Sequence, residues 1–198
     1  MRHIGRSTTL VATLAATFAL FCALPQPAPA QYNPISAIYD AARDERSVGD
    51  ITADKKISTS IKADLAKRDA KLALAVKVYC YMRRVTLLGQ LADDGFKDFA
   101  VATAKKAKGV RNVSAHWEAP GKTDTTAADV EIAAKLRAAL IGDKNISATQ
   151  VESEVFGGKV YLIGMVRSPK DADRAVAIAK GVKGVTGVTS LLLPPGKK

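Results

Sequence analysis

Apolar positions recur along this chain in two periods, and the whole pattern recurs 75 residues later without a gap. In the first pass Ile57, Ile61 and Leu65 fall at i, i+4 and i+8, which predicts a helix from about Thr52 to Arg68. Leu72, Leu74, Val76 and Val78 then alternate, as a strand with one buried face requires. Tyr81-Met82-Arg83 stands where the second pass has Phe156-Gly157-Gly158, whose glycines mark a tight hairpin turn. Val85 to Leu91 is the returning strand, and the glycine inside it (Gly89, then Gly164) marks a bulge or a close backbone approach. Alanine-rich helices follow, about Asp93 to Lys106 and Pro169 to Lys180. Pro169 suits a first helical turn, and Gly109 and Gly184 suit a left-handed position just beyond the helices. Val110 to Trp117 and Val185 to Leu193 close the pattern as third strands.

The repeat is carried by the positions that build a core. Asp54, Ile57, Ile61 and Leu65 match Asp129, Ile132, Leu136 and Leu140, and Val85, Leu87, Leu88, Gly89 and Leu91 match Val160, Leu162, Ile163, Gly164 and Val166. Ala100, Ala104, Lys105, Gly109, Val110 and Val113 match Ala175, Ala179, Lys180, Gly184, Val185 and Val188. The expected fold is therefore α+β, two tandem αββαβ domains, each a three-stranded mixed sheet with two helices on one face. The division expected is a signal peptide over 1–30, a polar leader over 31–49, a first domain over 50–118, a linker over 119–123, a second domain over 124–193 and a tail over 194–198.

The signal reading rests on Arg2 and Arg6, the uncharged run Leu10 to Leu24, and Ala28-Pro29-Ala30 as a small-x-small cleavage pattern. A retained anchor helix is the alternative, and the apolar run is short for a membrane span. Cys22 raises lipid modification, although Phe21 stands where a bacterial lipoprotein signal wants a small residue. Cleavage after Ala30 would leave Cys80 as the sole thiol, so the exported chain would be held by its cores without a disulfide. Removing Arg2 and Arg6 from the 30 basic residues leaves 28 against 19 acidic ones, a net charge of +9. In an exported protein such an excess meets phospholipid head groups, lipopolysaccharide or wall polymers.

An αββαβ duplication behind an export signal, with paired helix stripes, strand-embedded Gly89 and Gly164, and Gly109-Val110 and Gly184-Val185 junctions, resembles the BON domain family. The resemblance covers nearly all of residues 50 to 193. Arg46-Ser47-Val48-Gly49 is also similar to the entry of tandem-BON outer-membrane proteins. The resemblance implies a periplasmic protein, associated with the inner face of the outer membrane, that binds anionic phospholipid and supports envelope integrity.

The residue inventory argues against covalent chemistry. The histidines are His3 and His116, and there is no Cys-x-x-Cys, His-Glu-x-x-His, Gly-x-Ser-x-Gly or Walker loop. No enzyme activity, metal site or cofactor is expected. His116, beside Trp117, reads as a surface or packing residue, Cys80 as a small apolar filler, and Asp93-Asp94 as a helix cap. Nucleic acid is not expected either, because neither a Gly-x-x-Gly clamp nor stacking aromatics are evident.

The two copies differ most on their first helices. At 100° per residue, Val130, Ala134, Arg137 and Ile141 lie opposite the core stripe of the second copy. Their counterparts are Lys55, Thr59, Lys62 and Ala66, an ordinary charged face. Residues 50 to 118 hold 14 basic and 8 acidic side chains, whereas residues 124 to 193 hold 9 and 8. The expected lipid-binding residues are Val130, Ala134, Arg137 and Ile141, with Lys55 and Lys62 meeting anionic charge. Packing of the apolar face against the first copy is the competing reading, since tandem repeats commonly bury such faces on each other. On function, the alternative is a periplasmic stress protein or chaperone that binds unfolded or partner proteins without touching a membrane.

Overall fold

The computed structural model describes residues 46–121, 125–146 and 150–194. The expected signal segment with Cys22, most of the expected leader, and the last residues of the tail lie outside them.

In the first domain, α1 (Val48–Arg68) starts earlier than its apolar stripe because Ser47 caps it, its hydroxyl accepting from the Asp50 N–H at 3.0 Å. Ile57, Ile61 and Leu65 form its buried face. A short helix α2 (Ala70–Leu74) comes next, then β1 (Val76–Tyr81), β2 (Arg84–Gln90), α3 (Asp94–Lys106) and β3 (Asn112–Glu118). The second domain repeats the order as α4 (Thr126–Gly142), β4 (Val151–Phe156), β5 (Lys159–Met165), α5 (Pro169–Lys180) and β6 (Gly187–Leu193). In each sheet the second strand is central, antiparallel to the first and parallel to the third. The sheets are mixed and the class is α+β, as the repeat pattern predicts.

Leu72 and Leu74 do not belong to a strand. Asp69 ends α1 in an extended conformation, and its carboxylate accepts from the Leu72 N–H at 2.8 Å, which starts α2. Leu74 is thereby turned out to solvent, 81% exposed. A capping aspartate reads the same local sequence as a helical turn and overrides the two-residue alternation.

Gly89 and Gly164 serve a close approach, not a bulge, since strand register runs unbroken through both. A Cβ on Gly89 would fall 2.5 Å from the Ala75 carbonyl oxygen, and one on Gly164 would run into the Gln150 carbonyl. These glycines let the chain descend from the helix layer into the first strand. Asp93 caps α3 through the Phe96 N–H at 2.7 Å, while Asp94 pairs with Lys97.

Both hairpins take left-handed turns, at Met82 and Arg83 (φ 53° and 63°) and at Gly157 and Gly158 (φ 59° and 79°). For non-glycine residues that conformation costs about 1–2 kcal/mol each. One aspartate from the first helix of each domain holds the turn. Asp54 accepts from the Met82 and Arg83 N–H groups at 2.9 and 2.8 Å. Asp129 accepts from Gly157 and Gly158 at 2.8 and 2.9 Å. Asp54 also takes the Arg46 guanidinium at 3.0 Å and the Cys80 thiol at 3.3 Å. Burial, reinforced by the Asp54 charge and hydrogen bond, pushes the Cys80 thiol up to about 12. Cys80 is thus a core residue with a polar partner as well as an apolar filler.

The helices of each domain cover one face of its sheet, and the other faces of the two sheets pack on each other. Leu88, Tyr161 and Ile163 are buried there, joined by Tyr79, Tyr81, Phe156 and Leu191. The order of layers is helices, sheet, sheet, helices. Tyr79 Oη donates to Glu154 at 2.5 Å, a bond between positions 75 residues apart. Equivalent positions meeting each other is the mark of an isologous interface, here formed within one chain. On one flank Glu118 accepts from Tyr161 Oη at 2.5 Å and from Lys159 Nζ at 2.9 Å. Burial alone would raise the Glu118 carboxyl, but the bonds from Tyr161 and Lys159 outweigh it and hold it below its ordinary value of 4.5.

Two outcomes are expected from these contacts. Urea unfolding should show Asp54→Ala costing about 3 kcal/mol, because turn N–H groups and Arg46 lose their common acceptor. Asp129→Ala, at a half-buried carboxylate with glycines in the turn, should cost about 1–2 kcal/mol. Equal costs would show that the aspartates do not support the turns in proportion to burial. The lowered Glu118 pKa gives the second outcome: its bonds contribute fully above pH 4.5 and are lost as pH falls through the lowered value. Below pH 4.5 the thermal midpoint of the natural chain should therefore fall more steeply than that of Glu118→Gln.

Candidate functional site

The outer face of α4 is exposed, with Val130 at the rim of a cleft shared with the first domain. Val130 is 63% exposed and Ile141 62% exposed, and Ala134 and Arg137 between them are also exposed. At i, i+4, i+7 and i+11 they form one stripe about 16 Å long at 1.5 Å rise per residue. Ile132, Leu136 and Leu140 hold the opposite side of the helix in the core. The alternative reading, in which this stripe packs on the first copy, is not what the structure shows, because the sheets meet instead. Sheet-to-sheet burial removes both remaining apolar sheet faces at once, which helix docking would leave open.

Glu131 flanks the stripe and pairs with Lys135 at 2.5 Å. The hydrogen bond and charge of Lys135 hold the Glu131 carboxyl below its ordinary value, so its charge is matched locally. What α4 presents is an apolar strip with a guanidinium in its middle and a neutralised pair on its edge.

Lys55 and Lys62 are exposed on α1, in the other domain, and line a cleft of about 280 Å³ with Arg46, Tyr79, Tyr81 and Glu152. Val130 lines a different cleft of about 660 Å³ with Asp129, Glu154, Phe156 and Lys77. The two clefts are copies of each other under the 75-residue shift: Asp54 answers Asp129, Lys55 answers Val130, Tyr79 answers Glu154, Tyr81 answers Phe156. In each, the first helix faces the first strand of the other domain, through Glu152 in one and Lys77 in the other. The structure therefore brings together Lys55 with Lys62, and Val130 with Ala134, Arg137 and Ile141, but keeps the two sets on separate helices in separate outer layers.

Tyr79 and Tyr161 hydrogen-bond across the interface, to Glu154 and Glu118, and the chain's periodicity does not signal them. Burial first, then the carboxylate each one meets, raises both phenols, Tyr161 to about 12. His116 lies with its ring 6.0 Å from that of Tyr161, a packing position. Among the described residues no group of histidine, cysteine and carboxylate side chains is arranged to hold a metal. No helix among them is long and apolar enough to cross a membrane.

Comparison with known proteins agrees with this duplicated geometry. The BON domain family model matches twice, over residues 53–118 and 128–193. Osmotically-inducible protein Y of Escherichia coli is 31% identical over 145 residues, covering 71% of this chain and 72% of the relative. A 21 kDa hemolysin of Actinobacillus pleuropneumoniae is 28% identical over 75% of this chain and 78% of its own. The outer membrane lipoprotein DolP of Haemophilus influenzae is 27% identical over 74% and 77%. With two matched units folded alike and turned face to face, the chain belongs to the BON domain family.

Proposed function

We propose that this is a non-enzymatic periplasmic envelope protein that binds anionic phospholipid peripherally, at the inner face of the outer membrane, and supports the integrity of that membrane. The observation that carries the reading is the exposed α4 stripe, with Val130 and Ile141 more than half exposed on either side of Arg137. An apolar strip of this width, shallow and interrupted by a cation, suits the boundary between head groups and acyl chains. Arg137 supplies a donor fork for lipid phosphate. The kinship with an outer membrane lipoprotein and an osmotically inducible protein supports an envelope setting. Lys55 and Lys62 lie on another layer beside Glu152, so their part is a weaker, longer-range attraction.

Sedimentation with vesicles of phosphatidylglycerol or phosphatidylcholine tests this. The protein should pellet with the anionic vesicles, and salt should release it. Val130→Glu and Arg137→Glu should each weaken binding about tenfold, from about 1 kcal/mol per juxtamembrane charge plus the lost apolar contact. Lys55→Glu should weaken it less. Equal pelleting with both lipids, insensitive to salt, would sink the proposal, and suppressed aggregation of an unfolded client without vesicle binding would assign the stripe to protein partners.

A further inference from the structure

The isologous interface has two flanks that correspond under the 75-residue shift, and only one is closed. On the closed flank Lys159 and Tyr161 meet Glu118, and the Gln90 side-chain amide donates to the Ala119 carbonyl at 3.1 Å. On the other flank Arg84 takes the place of Lys159, Leu193 that of Glu118, and Met165 that of Gln90. The cation is kept and its carboxylate is replaced by leucine. Arg111, where the closed flank has Thr186, adds a second cation.

The result is a cleft of about 580 Å³ between the domains, lined by Met82, Arg84, Arg111, Asn112, Met165 and Leu193. That size lies within the roughly 300–1,000 Å³ of small-molecule sites. Arg84 and Arg111 are exposed and form no ion pair among the described residues, and no acidic side chain lines the cleft. Methionine, leucine and Pro194 form its apolar part, and Met82 is 38% exposed. Unbranched, polarisable methionines adapt to flexible apolar ligands.

We propose that this cleft binds a single-chain amphiphile with a carboxylate head, a long-chain fatty acid. Its head meets Arg84 and Arg111 as Glu118 meets Lys159 on the closed flank, and its tail lies along Met82, Met165 and Leu193. A carboxylate matches the guanidinium fork of Arg84 or Arg111, with Asn112 as a further donor. This site is separate from the α4 stripe and does not depend on it.

Titration calorimetry of the full chain with dodecanoate below its micelle concentration tests the inference. Dodecanoate should bind with one-to-one stoichiometry, whereas acetate and dodecyltrimethylammonium at the same concentrations should not bind. Arg84→Gln combined with Arg111→Gln should weaken binding tenfold or more, the loss expected from charged hydrogen bonds. Leu193→Glu should supply the missing carboxylate internally, raise the thermal midpoint and abolish dodecanoate binding. Val130→Glu should leave it unchanged, which separates failure here from failure of vesicle binding. Equal uptake of the cationic amphiphile, binding unaffected by the arginine pair, or displacement of dodecanoate by a peptide with an apolar C-terminal residue would each overturn the assignment.

Discussion

Everything in this structure depends on covering the second face of two small sheets. Each domain has only two long helices, and both lie on the same side of three strands. A domain of this size buries little surface on its own, so an uncovered face carrying Leu88, or Tyr161 and Ile163, would be costly in water. Turning the copies face to face buries these residues and brings polar groups with them. Tyrosine suits such a seam, because its ring joins the apolar contact while its hydroxyl reaches a carboxylate at the margin. Among the described residues no buried side-chain polar atom is left without a partner.

The constraint explains why the helices carry the differences between the copies. Residues on the shared sheet faces are held by the opposite domain, whereas the outer helix faces are largely exposed and open to whatever binds there. Lys55 and Val130 occupy the same place in the fold and are chemically opposite. The interface itself also departs from symmetry on one flank, where Arg84 and Arg111 stand without a carboxylate. Duplication supplied two equal scaffolds, and substitution at a few equivalent positions gave them different surfaces.

The fold was legible because its signals are local. Period-3.6 and period-2 stripes, paired glycines and proline at a first turn each act within a few residues, and the repeat allowed every one to be read twice. The α4 stripe was legible for the same reason, since helical geometry alone separates Val130 and Ile141 from Ile132 and Leu136. Asp54 and Asp129 stood out as repeated charges among apolar matches, yet their partners lie 28 and 29 residues away in turns whose geometry sequence does not display. Tyr79, Glu118 and Tyr161 carried no local signal, because the two-domain arrangement creates their pairing. Leu72 and Leu74 misled because alternation over so few residues fits a helical turn once Asp69 caps it.

The Tyr79–Glu154 bond joins two halves tethered by only the seven residues between β3 and α4. A tether that short gives each half an effective concentration in its partner's neighbourhood on the order of millimolar. The seam therefore needs no more affinity than a weak encounter between separate proteins. A first domain from one molecule also fits a second domain from another, since the faces are the same. Below that concentration the tether favours pairing of the two faces within one chain over pairing between chains.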